Sequence, residues 1–415
     1  MIIAIFVGLL LILFLMGVAV PYALIATSVV GMIYSGGFGP VQMGTMAQKM
    51  TAGVFLLAGK MMNIGSITKR IFNSCNALVG WIPGGLGQVN ILASVVFAGM
   101  SGSAVADAAG LGTIEIKAMK DEGFDTEFAA GITAASSTIG PIIPPSIPLI
   151  MFGCAASVSI SDLLVGGIVP GVVCAIALGI MVAIISVKRR YPRRGFPSLR
   201  ELWTLFKSSF LALMTPVILI GGILSGAFTA TEAAAVASLY AMILVCVVYR
   251  EVGLKDLPQI FKEVCREASA IMLVVAASTL YGYMLTKFMI PKMALEFFLS
   301  VSSNKYVFLL MINLFLLFVG CFMESNAAIL ILAPILVPAA TSFNIHPVHF
   351  GLIMVFNLMI GLLTPPVGMC LYATARVAGL SFEEQLRGTA IFYIPLIITL
   401  IVITMVPQVT LFLIG

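Results

Sequence analysis

Apolar residues run almost unbroken near 2–20, 21–35, 52–68, 163–187, 209–227, 230–249, 268–290 and 389–412. Each run is close to the length at which a helix crosses a hydrocarbon layer. Two regions, 75–160 and 297–380, depart from this pattern. In each, an apolar stretch turns back at a polar, glycine-bearing tip, and a second stretch is interrupted by Gly and Pro. The first tip reads GMSGSAVADAAG (Gly99 to Gly110) and the first interruption SSTIGPIIPPSIP (Ser136 to Pro148). The second pair reads GCFMESNAA (Gly320 to Ala328) and IGLLTPPVG (Ile360 to Gly368). The pattern predicts a helical hairpin over 76–120 and a broken helix over 125–158, then a hairpin over 298–343 and a broken helix over 347–378.

These two regions align without a gap at an offset of 221 residues: Ile139-Gly140 falls on Ile360-Gly361, Pro144-Pro145 on Pro365-Pro366, Gly99 on Gly320, and Gly167 on Gly388. A shared I-G-x-x-x-P-P at the same distance from a polar tip reads as an internal duplication. A weaker echo relates Gly17–Ser28 to Gly226–Ser238.

Composition fixes the solvent. Of 415 residues 61% are hydrophobic and 9% charged, against roughly 25% charged in a soluble domain. With a mean hydropathy of +1.15, the chain reads as a polytopic, all-α membrane protein with room for roughly ten to twelve crossings. The apolar N-terminus lacks a basic n-region and a small-residue cleavage site, so it reads as a first membrane helix. The seven cysteines form no CxxC pair and build neither a disulfide framework nor a metal site. Of the net charge of +5, most comes from Lys188 to Lys207, with seven basic residues and one acidic. Such a cluster beside a span is retained in the cytoplasm, a better account than nucleic-acid binding. Counting spans from that loop puts the N-terminus outside, opens the 76–120 hairpin to the inside and the 298–343 hairpin to the outside. Each half has five crossings and one hairpin, so the second half is inverted relative to the first, the plan of many secondary transporters.

Backbone groups freed at membrane depth must face protein, water or an ion. Carbonyls with Ser, Thr and Asn oxygens suit Na⁺, and helix N-termini at the same breaks favour a carboxylate. Ser101, Ser103 and Asp107 line the first tip, and Glu324, Ser325 and Asn326 the second. Acidic residues at depth are expensive and read as functional, while capping of the second hairpin arms is the alternative reading. Thr138 and Thr364, beside the breaks, are either ion ligands or bonded back to their own helices. Among basic residues near apolar stretches, Arg376 can pair with a substrate carboxylate or snorkel to the cytoplasmic surface, Lys287 can do the same or sit at the outer interface, and Lys60 has no sharper account. His346 and His349 read as loop residues and not as a metal site. Walker, GxSxG and HExxH motifs are absent from the sequence, so the chain does not read as an enzyme. Tyr249 to Glu267, with four basic and four acidic residues, has the pattern of an amphipathic helix in the interface plane.

The stretches Ser101–Met119, Gly131–Ile150, Gly226–Ala241 and Gly361–Gly379 resemble the large membrane subunit of tripartite ATP-independent periplasmic (TRAP) transporters over nearly the whole chain. The resemblance implies an elevator-type carrier of the ion-transporter superfamily in the bacterial inner membrane, where the span count places both termini in the periplasm. It implies Na⁺-coupled uptake of an organic acid, a C4-dicarboxylate or a sialic or other sugar acid, with Na⁺ as coupling ion and no other cofactor. Ligand is delivered by a periplasmic binding protein, and a small four-helix membrane subunit is expected as a separate chain. The family's ion sites fall here on Ser101, Ser103, Ile139, Gly140 and Pro144 in one half, and on Glu324, Asn326, Gly361 and Thr364 in the other. Ser103, Asp107, Ser325, Arg376 and Lys287 are the expected substrate contacts. The family often has Asp where Glu324 stands. In this reading residues 1–51 are scaffold helices, 52–160 one half of a mobile transport domain, 161–267 scaffold with the basic loop and amphipathic arm, 268–380 the second mobile half, and 381–415 a C-terminal scaffold helix. A stand-alone anion carrier and, less favoured, a channel are the alternatives.

Overall fold

A computed structural model describes residues 8–10, 12, 13, 16, 18, 20–34, 66–193, 195–253, 255–301 and 303–414. Lys60, the stretch 36–49 and most of the expected span 52–68 lie outside these residues. Among the described residues the regular structure is helical: α1 Val20–Tyr34, α2 Ser66–Val79, α3 Leu86–Ser101, α4 Ala104–Asp121, α5 Thr126–Ser137, α6 Ile147–Ala156, α7 Ile160–Arg189, α8 Leu199–Leu224, α9 Ala230–Ile243, α10 Leu257–Lys287, α11 Ile290–Val301, α12 Lys305–Phe322, α13 Ser325–Ser342, α14 Pro347–Gly361, α15 Met369–Ala378, α16 Phe382–Ala390, α17 Tyr393–Met405 and α18 Gln408–Leu411.

Helices α3 and α4 join at the first tip, Gly102–Ser103, and α12 and α13 at the second, Met323–Glu324; helix is also interrupted between α5 and α6 and between α14 and α15. The Pro-Pro bonds at the two breaks are cis. Proline without an N–H cannot continue the helical ladder, and Ser146 restarts it by capping α6 through Leu149 N–H. Among the described residues the first pieces of the broken helices are deeply enclosed. Every residue from Phe128 to Ser137, and every one from Val348 to Gly361, is buried.

The packing of these elements is reciprocal. The second arm of the first hairpin, α4, lies along α15, the far piece of the second broken helix; the second arm of the other hairpin, α13, lies along α6, the far piece of the first. A further correspondence joins the halves internally. Ser136 and Asn357 occupy the same place at the 221-residue offset. Each is held by an asparagine of its own hairpin's first arm: Ser136 Oγ donates to Asn90 Oδ1 at 2.6 Å, and Asn357 Nδ2 donates to Asn313 Oδ1 at 2.6 Å.

Three boundaries differ from the apolar pattern. The expected amphipathic segment 249–267 and the span 268–290 are not two elements with a joint near 267, because α10 runs unbroken from Leu257 to Lys287 and the chain turns earlier, between Tyr249 and Asp256. The run 230–249 passes from α-helix into one π-helical stretch, Leu244–Val248. The C-terminal run 389–412 is divided into pieces. Ser381 and Glu384 form a capping box that starts α16 well before the apolar run, α16 and α17 meet at 55°, and Pro407 ends the next ladder. The backbone N–H of Ser381 holds the Glu384 carboxyl below its ordinary range.

Among the described residues three helices are long and apolar enough to cross a membrane, α7, α12 and α13, with α16 and α17 as a bent fourth. Each arm of the second hairpin has 18 residues, about 27 Å of helix, so its length alone does not distinguish crossing from turning back.

Candidate functional site

The two hairpin tips each rest against the helix break of their own half. In the first, a side chain added at Gly102 would meet the Pro145 carbonyl at 2.9 Å and the Ile147 amide nitrogen at 3.2 Å. One added at Gly140 would collide with Asp107 Oδ2. In the second, Gly320 lies directly on Gly361: a β-carbon on Gly361 would stand 2.5 Å from the Gly320 α-carbon. The Gly140 and Gly361 of the repeated I-G motif are therefore contact points with the hairpins: at Gly361 the obstacle to a side chain is backbone, at Gly140 it is the Asp107 carboxyl.

Ser103 caps α4 through Ala106 N–H and Glu324 caps α13 through Ala327 N–H. At the 221-residue offset these two caps are the same position. Glu324 also accepts from Asn326 Nδ2 at 2.9 Å and from the Ser325 hydroxyl at 3.3 Å. Its carboxylate is thus engaged by its own tip, and the capping alternative describes its geometry. Replacing Glu324 by Ala is expected to lower stability by about 1 kcal/mol. Replacement by Ser, the residue its repeat partner uses, is expected to retain most of that; thermal unfolding of the detergent-purified variants measures the difference.

Asp107 behaves differently. With Ser103 as the cap, Asp107 sits in the first turn of α4, buried, with its carboxyl turned onto the break at Gly140. Cys370 of α15 is within its electrostatic reach. Ile139, Gly140 and Pro144 are all buried, and Ser101 is the last residue of α3. In the second half Ser325 is buried and Asn326 Oδ1 has no hydrogen-bond partner. Thr138 and Thr364 both donate back to their own turns, to Ala135 O at 2.7 Å and Gly361 O at 2.8 Å. The Thr364 hydroxyl also lies 3.1 Å from Cys321 Sγ of the hairpin. Arg376 and Lys287 are exposed in the last turns of α15 and α10. His346 caps α14, and His349 is buried with Nδ1 2.8 Å from the Thr410 hydroxyl; no metal-holding cluster occurs among the described residues.

Sequence reading passed over Glu115. It is buried on α4 in line with Asp107, Ala108, Leu111 and Gly112. The helical period from Asp107 was the available signal, masked by the charged run Lys117 to Glu122 that immediately follows. The Asn90 and Asn313 clamps were also passed over.

The two tips and two breaks, each with polar oxygens beside it, form the candidate site. Comparison with known proteins gives the family. The profile of the family described as "Tripartite ATP-independent periplasmic transporter, DctM component" matches residues 7–409. The chain is 45% identical over 407 residues to the sialic acid TRAP transporter large permease protein SiaM of Vibrio cholerae, covering 96% of this chain and 95% of that protein. It is 38% identical to the C4-dicarboxylate large permease protein DctM of Pseudomonas aeruginosa, over 86% of this chain and 84% of that one. It is 43% identical to the sialic acid permease protein SiaT of Haemophilus influenzae over 86% of this chain, which spans 58% of SiaT. Among solved structures, the YdaH transporter of Alcanivorax borkumensis shares the fold with a TM-score of 0.65 at 11% identity, covering 93% of this chain and 96% of that one. The protein is a membrane transport protein, and it belongs to the DctM family of TRAP transporter large permeases.

Proposed function

We propose that this chain is the carrier subunit of a Na⁺-driven symporter that brings an organic acid into the cytoplasm by an elevator movement. The observation that supports it best is that each hairpin tip meets the break of its own half, the two breaks being related by one offset. Such pairing gathers backbone carbonyls and helix N-termini in two places, the donor set for a hard cation beside an anion. Na⁺ is assigned to Ser101, Ser103, Ile139, Gly140 and Pro144 in one half and to Glu324, Asn326, Gly361 and Thr364 in the other. Substrate is assigned to Ser103, Asp107 and Ser325; Arg376 and Lys287, exposed at helix ends, fit the interfacial role better. The halves are inverted repeats, the hairpins re-entrant, and residues 52–160 and 268–380 the body of the moving domain. Helices α7 and α17 lie against that body. The site of action is the bacterial inner membrane, with both termini periplasmic. A small four-helix subunit braces the scaffold, and a periplasmic binding protein supplies substrate.

The relatives named for sialic acid and for C4-dicarboxylates make these the first substrates to assay. In proteoliposomes carrying the permease and its small subunit, uptake is expected only with the loaded binding protein and an inward Na⁺ gradient. Uptake without the binding protein supports the stand-alone carrier instead, and ohmic single-channel current supports a channel.

A further inference from the structure

The carboxyl of Glu115 is the most enclosed acidic group among the described residues. Glu115 is 1% exposed, and its Oε1 has no hydrogen-bond partner. No basic side chain among the described residues stands beside it. The titratable groups within electrostatic reach are Asp107, two turns along the same helix, and Cys75 on α2. On α4 itself Lys117, Lys120 and Asp121 line a neighbouring cleft, and the charged groups with described side chains on the other elements are placed as follows. Arg70 of α2 lies over the Tyr249 ring, Glu127 is in the first turn of α5, and Tyr372 and Arg376 of α15 are exposed. Helix α3 carries no titratable residue, and Cys370 of α15 lies near Asp107.

A buried carboxylate without a cation or donors is strongly disfavoured, so something must neutralise it. The choice lies between a metal cation and a proton. A Na⁺ needs several oxygens around it, whereas Glu115 Oε1 has no hydrogen-bond partner among the described residues. A proton needs only the carboxyl itself. Access is close at hand: a cleft of about 420 Å³ lined by Thr113, Ile116, Lys117, Lys120, Asp121 and Val377 runs along α4, with the residue next to Glu115 in its wall.

We propose that Glu115 is a proton-binding site inside the first hairpin's core, occupied in the conformation described and emptied when the packing of α4 on α3, α5 and α15 opens. The opening rests on the transport reading of the hairpin; the bound proton does not. It follows that alkaline conditions favour the opened packing and slow the cycle, and that a neutral amide at this position removes that dependence.

The test has two arms. In purified protein without substrate, infrared spectroscopy is expected to show a carboxylic acid C=O band that persists from about pH 6 to about pH 8, beyond the range of an ordinary glutamate. That band is expected to vanish in E115Q and to remain in D107N. A wild-type spectrum without the band at about pH 8, or a band unchanged in E115Q, overturns the proposal. E115M provides the same subtraction where E115Q does not fold. In proteoliposomes, wild-type uptake is expected to fall about tenfold towards about pH 9, while E115Q stays within about twofold of its rate at about pH 6. An alkaline decline retained in E115Q also overturns it. Failure of Na⁺-driven uptake in every variant, with the infrared result as expected, overturns the transport reading and leaves the proton site standing.

Discussion

Gly361→Ala is expected to abolish uptake. Its β-carbon would stand 2.5 Å from the Gly320 α-carbon and 2.6 Å from the Gly320 carbonyl carbon. Both obstacles are backbone, so no rotamer change relieves the clash; the second hairpin must lift from the break it rests on. Forced separation in a close-packed core costs about 3 kcal/mol, and it disperses the oxygens gathered at Gly361 and Thr364. Gly110→Ala is the control. It lies on α4 with nothing within 4 Å of an added β-carbon, and is expected to be neutral or stabilising by about 0.5–1 kcal/mol. Thermal unfolding and uptake measured side by side decide it: wild-type uptake in Gly361→Ala would show that the hairpin and break need not touch.

The second large effect is expected at Asp107. Asp107→Asn preserves the shape of a side chain turned onto Gly140 and removes its charge. Uptake is expected to fall at least about 100-fold, about 2.7 kcal/mol of lost stabilisation of the transport cycle. Folding is expected to change little, because Ser103 supplies the helix cap. Ser103→Ala is the complementary change, removing a cap worth about 1 kcal/mol. Full uptake by Asp107→Asn, with unfolding unchanged, would make the Asp107 charge irrelevant to transport.

The two tip acids looked equivalent in the sequence, and the structure separates them. Glu324 shares its repeat position with Ser103, and both are caps; Asp107 shares its position with Ala328 and has no counterpart. The hairpins and breaks themselves were legible, because Gly, Pro-Pro and short polar runs interrupt a helical ladder wherever they fall. The first arms start later than the expected 76 and 298, at Leu86 and Lys305, while helix ends fall within two residues of 120, 125–158, 343 and 347–378. Less legible was everything decided by what a helix face meets. Glu115 lies in sequence beside the charged residues Lys117 and Lys120, and only the packing of α4 puts it inside. Asn90 and Asn313 stand within apolar runs, and their purpose becomes visible only when Ser136 and Asn357 arrive opposite them. The unbroken α10 has a similar cause: polarity changes along Leu257–Lys287 without any residue that stops a helix, so an apparent joint between an interface segment and a span is a change of surroundings alone.

The reciprocal packing of α4 on α15 and of α13 on α6 constrains how the chain is made. When the first hairpin and first broken helix leave the ribosome, the faces that will meet α13 and α15 have no protein to cover them. Those partners end at Ser342 and Ala378, so the first half waits through the synthesis of nearly the whole polypeptide. Neither half is a finished folding unit, and the ordinary rule that an N-terminal domain matures first does not apply. Lipid or another membrane protein must shelter these surfaces in the interval, and truncation after the first repeat leaves a product with both of these seams open.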